Sequence, residues 1–90
     1  MVKNTFPIPV GPYVAHATRD EADQLLLLFT EHGHDVCGFV IKDWEQAGEW
    51  SVAASVGHVP SNIEWGLVSA VGTARNAHNE GLIPAGESDV

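Results

Sequence analysis

The sequence predicts an α+β domain, a two-layer sandwich of the split βαβ type in the order β-α-β-β-α with a weak or missing last strand. Three observations carry this expectation. Two patterns, Thr18-x-x-Glu21 and Ser61-x-x-Glu64, have the form of a capping box, in which a hydroxyl serves the third helical N–H and a carboxylate reaches back. Each is followed by apolar residues and closed by a glycine, Gly33 or Gly81, suited to a left-handed helix stop. Between them, residues 34 to 56 alternate with period two on either side of a turn, as the arms of a hairpin do.

Along the chain, Pro7, Pro9, Gly11 and Pro12 exclude a helix over residues 1–12 and suit an extended, proline-rich arm. The arm is expected to be mobile or loosely packed, although Phe6, Ile8 and Val10 alternate within it, so it can also lie along a sheet edge, where prolines are admitted, or across a neighbouring subunit. Tyr13 to Ala17 is a short β-compatible run. The first helix is expected over residues 19–32, with Asp20, Glu21 and Asp23 at the positive end of its dipole. Ala22, Leu25, Leu26 and Phe29 would form its buried stripe, leaving Leu28 on the flank and Leu27 near the rim.

His34 to Lys42 is apolar on both faces, which marks a central strand or one covered from outside the monomer, and a homodimer is therefore expected. Asp43 to Gly48 reads as a turn, and the next strand places Trp50, Val52, Ala54 and Val56 on one bulky face. Pro60 ends that strand. The second helix, over residues 61–80, carries an apolar stripe of Ile63, Leu67, Val71 and Ala74. A second row, Gly66, Ala70, Thr73 and Ala77, would let a neighbouring backbone come close, offsetting the ~1 kcal/mol that each of Gly66 and Gly72 costs a helix. Leu82 and Ile83 precede Pro84 too closely for a confident fourth strand. The organisation read from this is an arm over 1–12, a single domain over 13–83 and a flexible acidic tail over 84–90.

Ninety residues suffice for one small domain and leave little room for a deep substrate cavity. No apolar run approaches the ~20 residues that span a bilayer, and the first residues lack the pattern of a signal peptide, so a cytoplasmic location is expected. The single cysteine, Cys37, can form no internal disulfide, in keeping with a reducing compartment. Twelve acidic residues against four basic ones give a net charge of −8, which repels phosphate backbones and argues against direct nucleic-acid binding. An acidic surface can instead dock on a basic protein.

Candidates for chemistry are few. His32, His34, Asp35 and Cys37 are metal-ligand types within six residues, but no second cluster stands at finger-like spacing, so no metal, cofactor or catalytic residue is assigned. Cys37 as a nucleophile would need His16, His34 or His58 beside it, and nothing in the spacing asks for that. There is no phosphate-binding glycine loop, GxSxG or HExxH. Trp44, placed between Asp43 and Glu45 at the expected hairpin tip, is the candidate anchor for a protein partner, with Asp43, Glu45 and Glu49 as its acidic surround, and its folding back over the sheet stands as an equal alternative.

Gly33-His34-Asp35-Val36 after the first helix, the acidic hairpin, Glu49-Trp50-Ser51-Val52-Ala53-Ala54-Ser55, and the Val59-Pro60 corner before a long helix ending at Gly81 together resemble the ribonuclease E inhibitors called regulator of ribonuclease activity B. The resemblance covers roughly Tyr13 to Leu82. It departs at Leu82-Ile83-Pro84-Ala85, where the family continues into a last strand with a Tyr-Asp-Gly-Trp type segment. It implies a ferredoxin-like fold and inhibition of a nuclease assembly by protein contact, without catalysis or cofactor. Two other expectations stand beside it: a phage or mobile-element inhibitor of a host nucleic-acid-binding complex, and a small dimeric ligand-binding or enzymatic sandwich.

Overall fold

The computed structural model describes residues 4–85. Five strands, β1 (Phe6–Val10), β2 (Tyr13–Arg19), β3 (Leu25–Glu31), β4 (His34–Lys42) and β5 (Ser51–Gly57), are followed by one helix, α1 (Ile63–Asn79). The sheet order is β1-β2-β3-β4-β5, each strand antiparallel to the next. This meander with one helix on one face overturns the split βαβ, ferredoxin-like expectation, because no helix separates β2 from the β4–β5 hairpin.

The difference lies in residues 19–32. Thr18 caps no helix, and its hydroxyl donates to the Pro84 carbonyl oxygen at 3.1 Å. Asp20 instead closes a hairpin loop: its carboxylate accepts from the N–H groups of Ala22 at 2.9 Å and Gln24 at 2.8 Å, with Asp23 at φ 62°. Asx turns of this kind compete with a capping geometry for the same residue types. The leucine run then alternates, with Leu25, Leu27 and Phe29 buried under α1, and Leu26 and Leu28 on the other face. Leu27, expected at a rim, is thus a core residue. Gly33 stops no helix; His32 at φ 54° and Gly33 at φ 81° form a two-residue hairpin turn between the paired Glu31 and His34. Positive φ at both central positions is the type I′ geometry that matches strand twist.

From Phe6 the N-terminal stretch is an edge strand of the sheet, with Ile8 and Val10 buried, and not the mobile or loosely packed arm expected. Val10 and Tyr13 close a tight hairpin around Gly11 at φ 58° and Pro12. A two-residue hairpin is closed by a hydrogen-bonded pair, so Ile8 and Phe6 also bond inward to β2, and Pro7 and Pro9 occupy the outward positions, where the missing N–H breaks no ladder.

Pro60 starts the turn into α1, with Ile63 N–H donating to the Pro60 carbonyl at 3.1 Å. The N-cap is Asn62, whose side chain caps nothing and accepts instead from the Tyr13 hydroxyl at 3.3 Å, so the Ser61–Glu64 capping box does not form. The C-terminus is a Schellman motif: Gly81 at φ 76° donates to His78 at 2.9 Å and Leu82 donates to Ala77 at 2.9 Å. The buried face comprises Ile63, Gly66, Leu67, Ala70, Val71, Ala74 and Ala77, while Thr73 is exposed. Beyond the helix, Ile83 is buried, and the Pro84 carbonyl accepts from Arg19 N–H at 3.0 Å, docking the described part of the tail against β2. The expected tail beyond Ala85 lies outside the described residues.

The small residues on α1 bring it down onto the sheet. At Gly66 an added Cβ would come within 2.8 Å of Val10 Cγ1, whereas at Gly72 it would meet nothing within 4 Å. Val10 is β-branched and stiff, so it cannot yield easily. Gly72→Ala should therefore raise stability by up to ~1 kcal/mol through helix propensity. Gly66→Ala gains the same propensity, loses about 1–3 kcal/mol to overpacking, and should be net destabilising. Urea titration of both variants checks the opposite signs.

Candidate functional site

Two surfaces stand out, the acidic end of the sheet and its uncovered face. The acidic end is built by the β2–β3 and β4–β5 loops, which leave the sheet on the same side. Asp43 at φ 57° turns the chain back as β4 ends, which carries Trp44 inward rather than to the tip of the loop. Trp44 is 1% exposed. Its indole Nε1 donates to the Asp23 carbonyl at 2.8 Å, its own carbonyl accepts from Arg75 Nε at 3.0 Å, and its ring lies 4.8 Å from that of His78. One side chain thus ties two loops to the end of the helix.

Of the two readings of Trp44, the structure shows the one in which it folds back over the sheet, and not an exposed anchor. A large indole beside an incompletely covered sheet gains more by filling the core than by standing in water. Asp43, Glu45 and Glu49 do remain exposed, and Trp44 draws them next to the loop that carries Asp20, Glu21 and Asp23. Three of these six carboxylates have close partners: Asp20 accepts from the Ala22 and Gln24 N–H groups, Asp23 lies 3.0 Å from Arg19, and Glu45 lies 3.0 Å from His78 Nε2. Exposed pairs of this kind add little stability.

The uncovered face is apolar. Leu26, Leu28, Val40 and Val56 surround a shallow groove of ≈ 280 Å³ with His16 at its rim. Gly38 makes the floor: an added Cβ there would stand 3.3 Å from Val56 Cγ2 and 3.7 Å from Leu28 Cδ1. His16 is held by two threonines, its Nδ1 3.4 Å from Thr5 Oγ1 and its Nε2 3.1 Å from Thr30 Oγ1. Both ring nitrogens are engaged. The alternation of Phe6, Ile8 and Val10 was visible in the sequence, but the groove was not, since reading Leu25–Leu28 as helix hid which leucines share a face with Val40.

The remaining candidates are dispersed. His32, His34 and Asp35 lie exposed at the β3–β4 turn, while Cys37 is buried on the helix-facing side of β4. Among the described residues no group of three or more histidine, cysteine or carboxylate side chains is placed to hold a metal. Burial pushes the Cys37 thiol above its ordinary value, which keeps it neutral and unreactive. Trp65 is half exposed, its indole edge lying over Gly11, and Trp50 packs against the core margin. Among the described residues no helix is long and apolar enough to cross a membrane.

The class defined by these features is an acidic five-stranded antiparallel meander backed by one helix. Comparison with protein-family models, curated proteins and solved structures returned no match.

Truncating Trp44→Ala should cost about 3–5 kcal/mol and loosen both acidic loops, seen as a lower urea midpoint and faster amide exchange over residues 20–24 and 43–49. Trp44→Phe keeps bulk but loses the indole donor, for about 1–3 kcal/mol. Cys37 adds a pH signature. Because the folded-state value is raised, its contribution is complete below the ordinary value of 9.0 and is lost as pH rises through the folded value. The alkaline decline in stability should therefore be shallower in Cys37→Ala than in the parent chain, measured by denaturant titration at a series of alkaline pH values.

Proposed function

We propose that this chain is a non-catalytic protein-interaction module that uses its acidic end to occupy the basic, nucleic-acid-binding surface of a partner and so regulates a nucleic-acid-handling enzyme. The observation that supports the reading is the clustering of Asp20, Glu21, Asp23, Asp43, Glu45 and Glu49 on two loops knitted together by buried Trp44. Fixed carboxylates steer a basic partner during encounter and lose less entropy on docking than mobile ones. The anchor is not Trp44 itself, which supplies rigidity from beneath. The ribonuclease E inhibitor resemblance suggests the partner to try, although the fold it implied is not this one. The reading places the protein in the cytoplasm, where such enzymes work.

A second reading is favoured by the groove over Gly38, which suits a small apolar ligand on the uncovered sheet face. In that case the protein is a small ligand-binding sandwich.

The two readings separate by experiment. In the first, the protein should slow cleavage of a short single-stranded RNA by purified ribonuclease E at low salt, with inhibition fading as salt rises. The combined Asp43→Asn, Glu45→Gln and Glu49→Gln variant should associate about tenfold or more slowly, and His32→Ala with His34→Ala should change nothing. Undiminished inhibition by the neutralised variant, or none by the parent at low salt, overturns it. In the second, the parent should retain an apolar dye such as anilinonaphthalene sulfonate in the folded state, and Gly38→Val should abolish retention.

A further inference from the structure

The two edges of the sheet are chemically unlike. On β1 the outward positions are Pro7 and Pro9, so that edge offers no N–H to a further strand at either place. At the opposite edge, β5 reads Ser51-Val52-Ala53-Ala54-Ser55-Val56-Gly57, with no proline and no charge, and every residue is exposed. Among the described residues β5 pairs only with β4, so its outer row of N–H and C=O groups has no protein partner. A β-bulge gives part of the strand an irregular edge: Val52 pairs with Ile41 while Ala54 pairs with Val40, leaving Ala53 unmatched. Ala54 to Gly57 continue in register with Val40 to Cys37, and Gly57 at φ 84° closes the extended run.

From this asymmetry we infer that β5 is a self-association edge, and that two copies of the chain pair β5 to β5 in antiparallel fashion about a two-fold axis through Ala54–Gly57. The blocked β1 edge is what makes the assembly closed. A β5 edge meeting a β1 edge would propagate head to tail into a filament, and Pro7 and Pro9 forbid that ladder, whereas β5 meeting β5 is isologous and stops at two.

Charge favours the same arrangement. The chain carries −8, so copies repel, and β5 is a neutral segment along which backbones can approach. Antiparallel pairing sets the two 43–49 loops at opposite ends of the new ladder, each toward the His58 end of the other copy's β5; parallel pairing would stack like charges. On the open face Val56, 67% exposed, packs beside Gly38, so the apolar grooves of the two copies become neighbours across the axis. The inference stands on the edge chemistry and does not depend on what the acidic end binds.

The test uses the full chain. Sedimentation velocity across a concentration series should show a reversible dimer with no larger species, and hydrogen exchange should show amides within 54–57 slowing as concentration rises. Val56→Lys places a charge at the axis on an already exposed site, so it should fold normally by circular dichroism and associate at least tenfold more weakly. Val68→Lys, on the exposed side of α1, should dimerise as the parent does. A monomer at high micromolar concentration overturns the inference. So does a dimer that Val56→Lys leaves intact or that Val68→Lys breaks, one whose 54–57 amides exchange alike at all concentrations, or open-ended oligomers.

Discussion

A single α-helix is too narrow for the sheet it backs, and most of this structure follows from that mismatch. Five strands at about 4.8 Å spacing span roughly 19 Å between outer strand axes, while a helix with its side chains is about 10–12 Å across. Helix α1 packs closely on β1 and leaves β5 bare. The small residues Gly66, Ala70, Ala74 and Ala77 let it sit low, so that Phe29, Leu25 and Leu27 are sealed by one element. Trp44, brought in from the β4–β5 loop, extends the cover toward β4 but not to β5. Buried aromatic contacts continue through the middle of this layer, with Phe29 edge-on to both Tyr13 and Phe39 at centroid distances of 6.2 and 5.7 Å.

How much of this was legible depended on whether the chain offered one local solution or two. The segment after Pro60 had one: an apolar stripe of helical period ending at Gly81 admits little else, and a helix stands there. The β4–β5 hairpin was also legible from alternation on both sides of a polar turn. Residues 19–32 had two solutions. Thr18, Asp20 and Glu21 can begin a helix or an Asx turn, Leu25–Phe29 can bury one stripe or one pleat face, and Gly33 can end a helix or complete a type I′ turn. What decides is tertiary: as a strand, the segment buries Leu25, Leu27 and Phe29 under α1 and pairs on both sides, with β2 and β4.

The acidic candidates show the same division. That Asp43, Glu45 and Glu49 would be exposed follows from their type and turn position, and they are. That Trp44 between them is buried does not follow from neighbours in sequence, because its partners Asp23, Arg75 and His78 come from distant segments. The alternation along β5 was also broken by something non-local, the bulge opposite Val40 and Ile41, which separates Val52 from the face shared by Ala54 and Val56.

The docking of Pro84 and Ala85 beside Arg19 has a topological meaning. β1 runs antiparallel to β2 and reaches Ala17 with Phe6, and the next places along β2, Thr18 and Arg19, are taken by the segment that follows the helix. The beginning and the end of the described chain therefore meet on one strand, and the backbone is almost a closed loop. Closed-loop geometry of this kind is what allows circular permutation, in which a short linker joins the old ends and new ones open at an exposed turn. The His32-Gly33 turn is such an opening, at the opposite end of the sheet from the Trp44 knot and outside both edge strands.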